Sequence, residues 1–443
     1  MNKSKSRKVG KLNKKDRISR MPDSVLCHIL SFLPTEAAVR TSILSSRWKF
    51  VWTSLPNLMF NDKLCYRRSG TSENDKLTRF ENFVDRMLLS NSVSINKFSL
   101  HCRKLRYLSR LKFWVALAIM RNVREIEVNL RVGDPFEEGY EPVELPDCIY
   151  NSETLEILKL ESDFVFKSPS SGICFPRVKK FHVEIHKPNM PDFSICPVLE
   201  DLSIVAYLLD IHWDADISIS SQTLKRLNLI IEGPMFAATG HQATIEAPKL
   251  ESLHVKDDTL VSYLVYELHS LCDACIDIYY TCVRNDPDRA DRALQLLKKL
   301  TNLKSLYLSH GIICALGKAY RHLYDAHQYS LPTFSNLSFL EVRIREYGWW
   351  ILPIIFNCSP NLESFVLIMD VNDPERYEEA GWIEPQFVPY CLQFNVKKIE
   401  ILYGDDDPLE PVKYVGKSSN ELCKELLMFP RGSKTCEVEF RGK

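Results

Sequence analysis

Apolar residues along this chain follow three patterns. Between residues 22 and 56 the spacing is helical. Val25, Leu26, Ile29, Leu30 and Leu33 predict a helix opened by Pro22, with Asp23 and Ser24 beside its exposed N–H groups, and ended at Leu33-Pro34. Thr35 suits the N-cap of a second short helix carrying Ala37, Ala38, Val39 and Ile43. A third helix is expected from about Ser45 to Ser54, stopping before Pro56. There Leu44, Trp48 and Trp52 fall at i, i+4 and i+8, with Val51 beside them, on one face. Three short helices in about 35 residues fall below the size at which a chain supports its own core. Part of their apolar surface is therefore expected to meet another protein.

From residue 95 onward a second pattern, apolar-x-x-apolar-x-apolar, recurs. It begins as Ile95/Phe98/Leu100, Val123/Ile126/Val128, Leu155/Leu158/Leu160 and Val178/Phe181/Val183. It continues as Leu199/Leu202/Ile204, Leu224/Leu227/Leu229, Leu250/Leu253/Val255 and a weak copy at Leu271/Ala274/Ile276. Leu303/Leu306/Leu308, Leu337/Leu340/Val342, Leu362/Phe365/Leu367 and Val396/Ile399/Ile401 complete it, at intervals of 21 to 34 residues. This is the core of the leucine-rich-repeat signature at a similar period. Each copy predicts one short strand, and stacked neighbours predict a parallel sheet on a curved solenoid. The Asn or Cys that usually closes the signature is mostly missing and the spacing is uneven, so the horseshoe should be irregular. Arg289–Leu300 (RADRALQLLKKL) reads as one of its helices. The third pattern is short: Cys436, Val438 and Phe440 alternate like a strand.

Charge changes this picture little. Lys+Arg 57 balance Asp+Glu 57, so no global field draws the chain to nucleic acid or membrane. The longest apolar runs, Leu111–Met120 and Trp349–Phe356, are too short to span a bilayer. No secretory segment precedes the first helix, and 14 scattered cysteines favour reduced thiols, which places the chain in nucleus or cytosol. Residues 1–18 form a basic tail that reads as solvated and disordered rather than as a nucleic-acid patch.

Several local signals fail on their own chemistry. A phosphate loop at Gly416-Lys417-Ser418 needs a glycine at position 411, which is Pro411. Cys272-x-x-Cys275, with His269 and Cys282 nearby, suggests zinc, but residues three apart on a strand point to opposite faces. Asp405-Asp406-Asp407 lacks the alternating ligands and central glycine of a calcium loop. No nucleophile elbow and no H-E-x-x-H pair occurs. The expectation is no catalytic residue, no metal and no cofactor.

The stretch MPDSVLCHILSFLPTEAAVRTSILSSRWKFVWTSLPNLMF resembles the F-box of plant F-box/leucine-rich-repeat proteins. VKKIEILYGDDDPLEPVKYVG with ELCKELLMFPRGSKTCEVEF resembles the FBD domain that ends many of them. The resemblance implies an α/β architecture: a basic tail over 1–18, a small three-helix F-box over 19–62, a helical linker over 63–94, leucine-rich repeats over 95–390 and an FBD-like α+β cap over 391–443. The cap looks shortened, because only Gly416–Asn420 stands where a further helix and strand are expected. In this family the F-box docks on a Skp-type adaptor and through it on a cullin–RING ubiquitin ligase. By resemblance Pro22, Leu26, Ile29, Leu30, Leu33, Pro34, Val39, Leu44, Trp48 and Trp52 form or support that interface.

Strand alternation adds a target-binding face. Residues between the inward apolar positions point outward together, which predicts Lys159, His182, Ser203, Asn228, His254, Tyr307 and Glu341 on one exposed surface. Their mixed polarity names no ligand. The expected function is that of a non-catalytic receptor holding an unknown protein target near the ligase. The alternatives are a scaffold that binds the adaptor without directing ubiquitin transfer, and an enzyme with a site in the repeat groove.

Overall fold

The computed structural model describes residue 18 and residues 21–442. Excepted are 64–71, 131–142, 167–173, 186–189, 209–215, 234–240, 279–286, 323–330, 345–350, 371–387, 405–435 and the single positions 92, 104, 163 and 267. The basic tail, the Gly416-Lys417-Ser418 and Asp405–Asp407 motifs and most of the FBD-like region lie outside the described residues. The chain packs as two units, residues 1–159 and 160–443.

In the first unit, helices α1 (Asp23–Leu30) and α2 (Thr35–Arg40) are followed by two 3₁₀ turns, Thr41–Ile43 and Trp48–Ser54. Pro22 and Pro34 stand just before the helices, where a missing N–H costs nothing. Strand β1 (Asn57–Asn61) follows at once and pairs in parallel with β2 (Lys97–Cys102), which pairs in parallel with β3 (Glu125–Leu130). The repeat sheet therefore begins inside the segment read as the F-box, and helix α3 (Glu73–Ser90) is a crossover between paired strands. Ser72 caps α3 by accepting from Asp75 N at 3.1 Å. Asp85 of α3 accepts from Trp114 Nε1 at 2.7 Å, which fastens helix α4 (Leu108–Met120) beside it. The left-handed turn that ends α4 falls on Asn122 (φ 60°), a residue tolerant of that conformation. The strand Ile157–Glu161 carries the boundary between the units.

In the second unit ten strands pair in parallel and in chain order. They are Lys180–Ile185, Asp201–Tyr207, Arg226–Glu232, Ser252–Asp257, Asp273–Ile278, Ser305–Leu308, Phe339–Ile344, Ser364–Asp370, Lys398–Gly404 and Glu437–Gly442. Each repeat triplet supplies the buried side. Phe181, Leu202, Leu227, Leu253, Ala274, Leu306, Leu340 and Phe365 fall in one register row, and all are core residues. Even the weak copy at Ala274 forms its strand, since its neighbours set the register. The returns between strands are unequal. Three carry short strands of their own, Ile217–Ser220, Gln242–Glu246 and Ser262–Tyr266, in a second parallel ladder. Others carry helices, including Pro287–Lys298 where RADRALQLLKKL predicts one.

Candidate interaction surfaces

Helix α1 carries two apolar stripes. Leu26 and Leu30 turn inward with Ala38, Val51, Leu55 and Leu58. Val25 and Ile29, at i and i+4, lie on the solvent side, and Phe32 in the turn just after the helix extends them. A helix apolar on two sides has one side too many for its own unit. The later turns add to the excess: Ile43 is 85% exposed, Leu44 66% and Phe50 63%, beside the 72% of Phe32. Arg47 holds this end together by donating through Nε to Asp23 Oδ1 at 3.1 Å, and through Nη2 to the Met21 carbonyl.

The ten residues assigned here by resemblance separate into two sets. Pro22, Ile29, Pro34 and Leu44 are exposed, and Leu33, Val39 and Trp52 are half-buried. Leu26, Leu30 and Trp48 are core, with Trp48 only 5% exposed. Trp48 was expected on a shared face with Leu44 and Trp52, and this is corrected by the local winding. Residues 48–54 form a 3₁₀ turn, in which side chains three apart coincide and those four apart diverge. Trp48 therefore buries with Val51, and the Trp52 indole donates to Lys49 O at 2.9 Å; Leu44, which lies before this turn, points to solvent. Val25, Phe32, Ile43 and Phe50 were not among the residues assigned to this surface. The 25/29/32 spacing was there to be read for the first two; the exposure of Ile43 and Phe50 depends on 3₁₀ turns that helical spacing does not anticipate.

On the repeats, His182, Ser203, Asn228, His254, Tyr307 and Glu341 fall in a single cross-strand row, with Cys275 between His254 and Tyr307. Lys159 holds the equivalent alternating position in Ile157–Glu161, between buried Leu158 and Leu160. The row continues beyond Glu341 through Val366, Glu400 and Glu439. Asn228 Nδ2 donates to Ser203 Oγ at 3.0 Å, and that hydroxyl is also 3.0 Å from His182 Nδ1. Cys275, missed because its copy is weak, sits on this outward row, whereas the Cys272 thiol turns to Glu251 O at 3.3 Å. Among the described residues no group of three metal-ligating side chains converges.

The charge along this face is uneven. Lys180 and Arg226 flank Asp201 and both pair with it, at 3.3 Å for Lys180, which holds its carboxyl below the usual range against the effect of burial. Four residues along the strand from Lys180, Glu184 is pushed up to about 7, first by burial and then by the charges of Glu161 and Glu232. Burial and the same three carboxylates push Tyr207 up to about 12. Burial also raises Glu341, with Glu400 adding to it and Arg343 opposing. These surroundings offer hydrogen-bonding and charged groups to a macromolecule.

Residues 18–60 match the family model described as F-box domain. An F-box/FBD/LRR-repeat protein of Arabidopsis thaliana is 28% identical over 97% of this chain and 99% of its own length. A second protein of that description is 26% identical over 96% and 99%. An F-box/LRR-repeat protein of the same plant is 30% identical over 80% of this chain and 92% of its own.

Proposed function

Since the chain belongs to the F-box/leucine-rich-repeat family, we propose that it is the substrate-recognition subunit of a Skp–cullin–F-box ubiquitin ligase. F-box domains in general bind Skp-type adaptors, and proteins of this family are typically non-catalytic. The observation that carries the reading is the second apolar stripe of α1 together with Ile43, Leu44 and Phe50, which the unit leaves in water. Apolar and aromatic side chains of this kind serve as anchors in protein interfaces. The repeat row then holds a protein target, and the receptor acts by raising the target's effective concentration at the ligase.

The test is affinity for a Skp-type adaptor, with wild type beside Leu44→Asp and Trp48→Ala. Leu44→Asp places a charge where an anchor is needed, and should weaken binding more than tenfold with an unchanged melting temperature. Trp48→Ala should lower the melting temperature, with affinity falling only as the folded fraction falls. Equal binding by Leu44→Asp and wild type would overturn the assignment of this surface. Adaptor binding without ubiquitin transfer to any protein would favour a scaffold.

A further inference from the structure

The F-box passes into β1 at Leu55-Pro56, and both carbonyls of this junction are engaged from the repeat side. Pro56 O accepts from Asn96 N at 2.6 Å and Lys97 N at 3.2 Å, where β2 begins. Leu55 O accepts from Asn91 Nδ2 at 2.8 Å. Asn91 is 2% exposed and each of its polar groups has a partner. Its N–H closes α3 on Met87 O at 3.0 Å, its Oδ1 accepts from Val93 N at 3.0 Å, and its carbonyl accepts from Arg121 Nη1 at the end of α4. One side chain thus joins the last F-box turn to a helix end and to the segment leading into β2. Across the same unit, fully buried Thr35 at the start of α2 accepts from Met59 N of β1 at 2.7 Å through its hydroxyl.

We infer that Asn91 is a positioning residue: it locks the F-box helices to the first repeat strands, so that this end of the chain opens and moves as one body. The consequence for ubiquitin transfer rests on the reading given under Proposed function. With the join intact, the adaptor-facing side chains keep a fixed orientation to the strands where the repeat sheet starts. An unlocked join would leave the adaptor bound and let that orientation wander, which erodes the effective concentration that proximity provides.

The test is native-state hydrogen exchange on the full chain across a denaturant series, comparing wild type with Asn91→Asp. Aspartate keeps the size and the acceptor for Val93 but sets an oxygen against Leu55 O. In wild type the amides of α1, α2, β1 and β2 should share one opening. In Asn91→Asp the α1 and α2 amides should exchange at least tenfold faster than those of β2 and β3, dividing one opening into two. Equal acceleration of all four elements, or none, would overturn the inference. If Asn91→Asp does not fold, Arg121→Gln removes only the bond to the Asn91 carbonyl. It should give a smaller division in the same direction, and no division would again overturn the proposal. In a reconstituted ligase, self-ubiquitination by whichever variant folds should fall at least fivefold with adaptor affinity within twofold of wild type. An unchanged rate would overturn the positioning role. A wild type that fails to bind adaptor would defeat the proposed function alone, and exchange would still decide the role of Asn91.

Discussion

Trp48 and Leu44 lie four residues apart and have opposite fates, and each sets a different measurable quantity. Removing the buried indole of Trp48 should cost about 3–5 kcal/mol of folding stability, the usual range for an aromatic cavity. Thermal unfolding measures that loss directly. Glu184 makes a prediction of the other sign. Its folded-state pKa, about 7, lies above that of a carboxyl in an unfolded chain, because burial and then Glu161 and Glu232 disfavour its charge. Val205 stands opposite it on the strand Asp201–Tyr207, so no cation faces it from that side. An acid with a raised pKa costs nothing below its unfolded pKa; the penalty grows as pH rises toward 7 and is complete above it. Glu184→Gln should therefore raise stability by about 1 kcal/mol at pH 8, allowing for solvent screening, and leave it unchanged near pH 4. Denaturant unfolding at the two pH values measures the difference. A gain of equal size at both would mean that charge is not the cause.

Strands were legible because burial on one side leaves a two-residue period that no neighbour can disguise. The same alternation placed His182, Ser203, Asn228, His254, Tyr307 and Glu341 in one row from spacing alone. The 3₁₀ turn at Trp48–Ser54 was not legible, since a short apolar run is compatible with either helical period and its packing against α1, α2 and the Thr41–Ile43 turn is not written in its spacing. Nor was the second ladder, whose strands lie in returns without a repeat triplet. Its link to the main sheet is a buried carboxylate. Asp257 ends a main strand and accepts five hydrogen bonds: from Thr259 N, Thr259 Oγ1, Leu260 N, Val261 N and Tyr263 Oη, at 2.7 to 2.9 Å. These hold Leu260 at φ 54°, a conformation costly for a branched side chain, and carry the chain into Ser262–Tyr266. Asp257→Ala should strand those donors and cost about 3–5 kcal/mol. Hydrogen exchange should locate the loss first in Ser262–Tyr266 and Gln242–Glu246; a loss confined to Ser252–Asp257 would contradict the linking role.

In a repeat protein each strand reports chiefly on its neighbours, so stability given to one end fades along the sheet. The sequence period showed the repeats but not where they begin. The first strand, Asn57–Asn61, belongs by pairing to the sheet and by chain position to the F-box match, so composition offers no break between them. Residues 1–159 pack as a unit that includes both, and residues 160–443 pack as another. A partner that binds only the folded F-box stabilises whatever must open together with it. With free adaptor at a hundred times its dissociation constant, that stabilisation is about 2.7 kcal/mol, or about a hundredfold in exchange rate through the shared opening. The slowing should reach α1, α2, β1, β2 and β3, and should be small in the strands from Lys180–Ile185 onward. Slowing restricted to α1 and α2 would mean that the F-box opens alone, against the join at Asn91. Uniform slowing as far as Glu437–Gly442 would mean that the two units unfold as one, and that adaptor binding is felt along the entire outward row of the repeats.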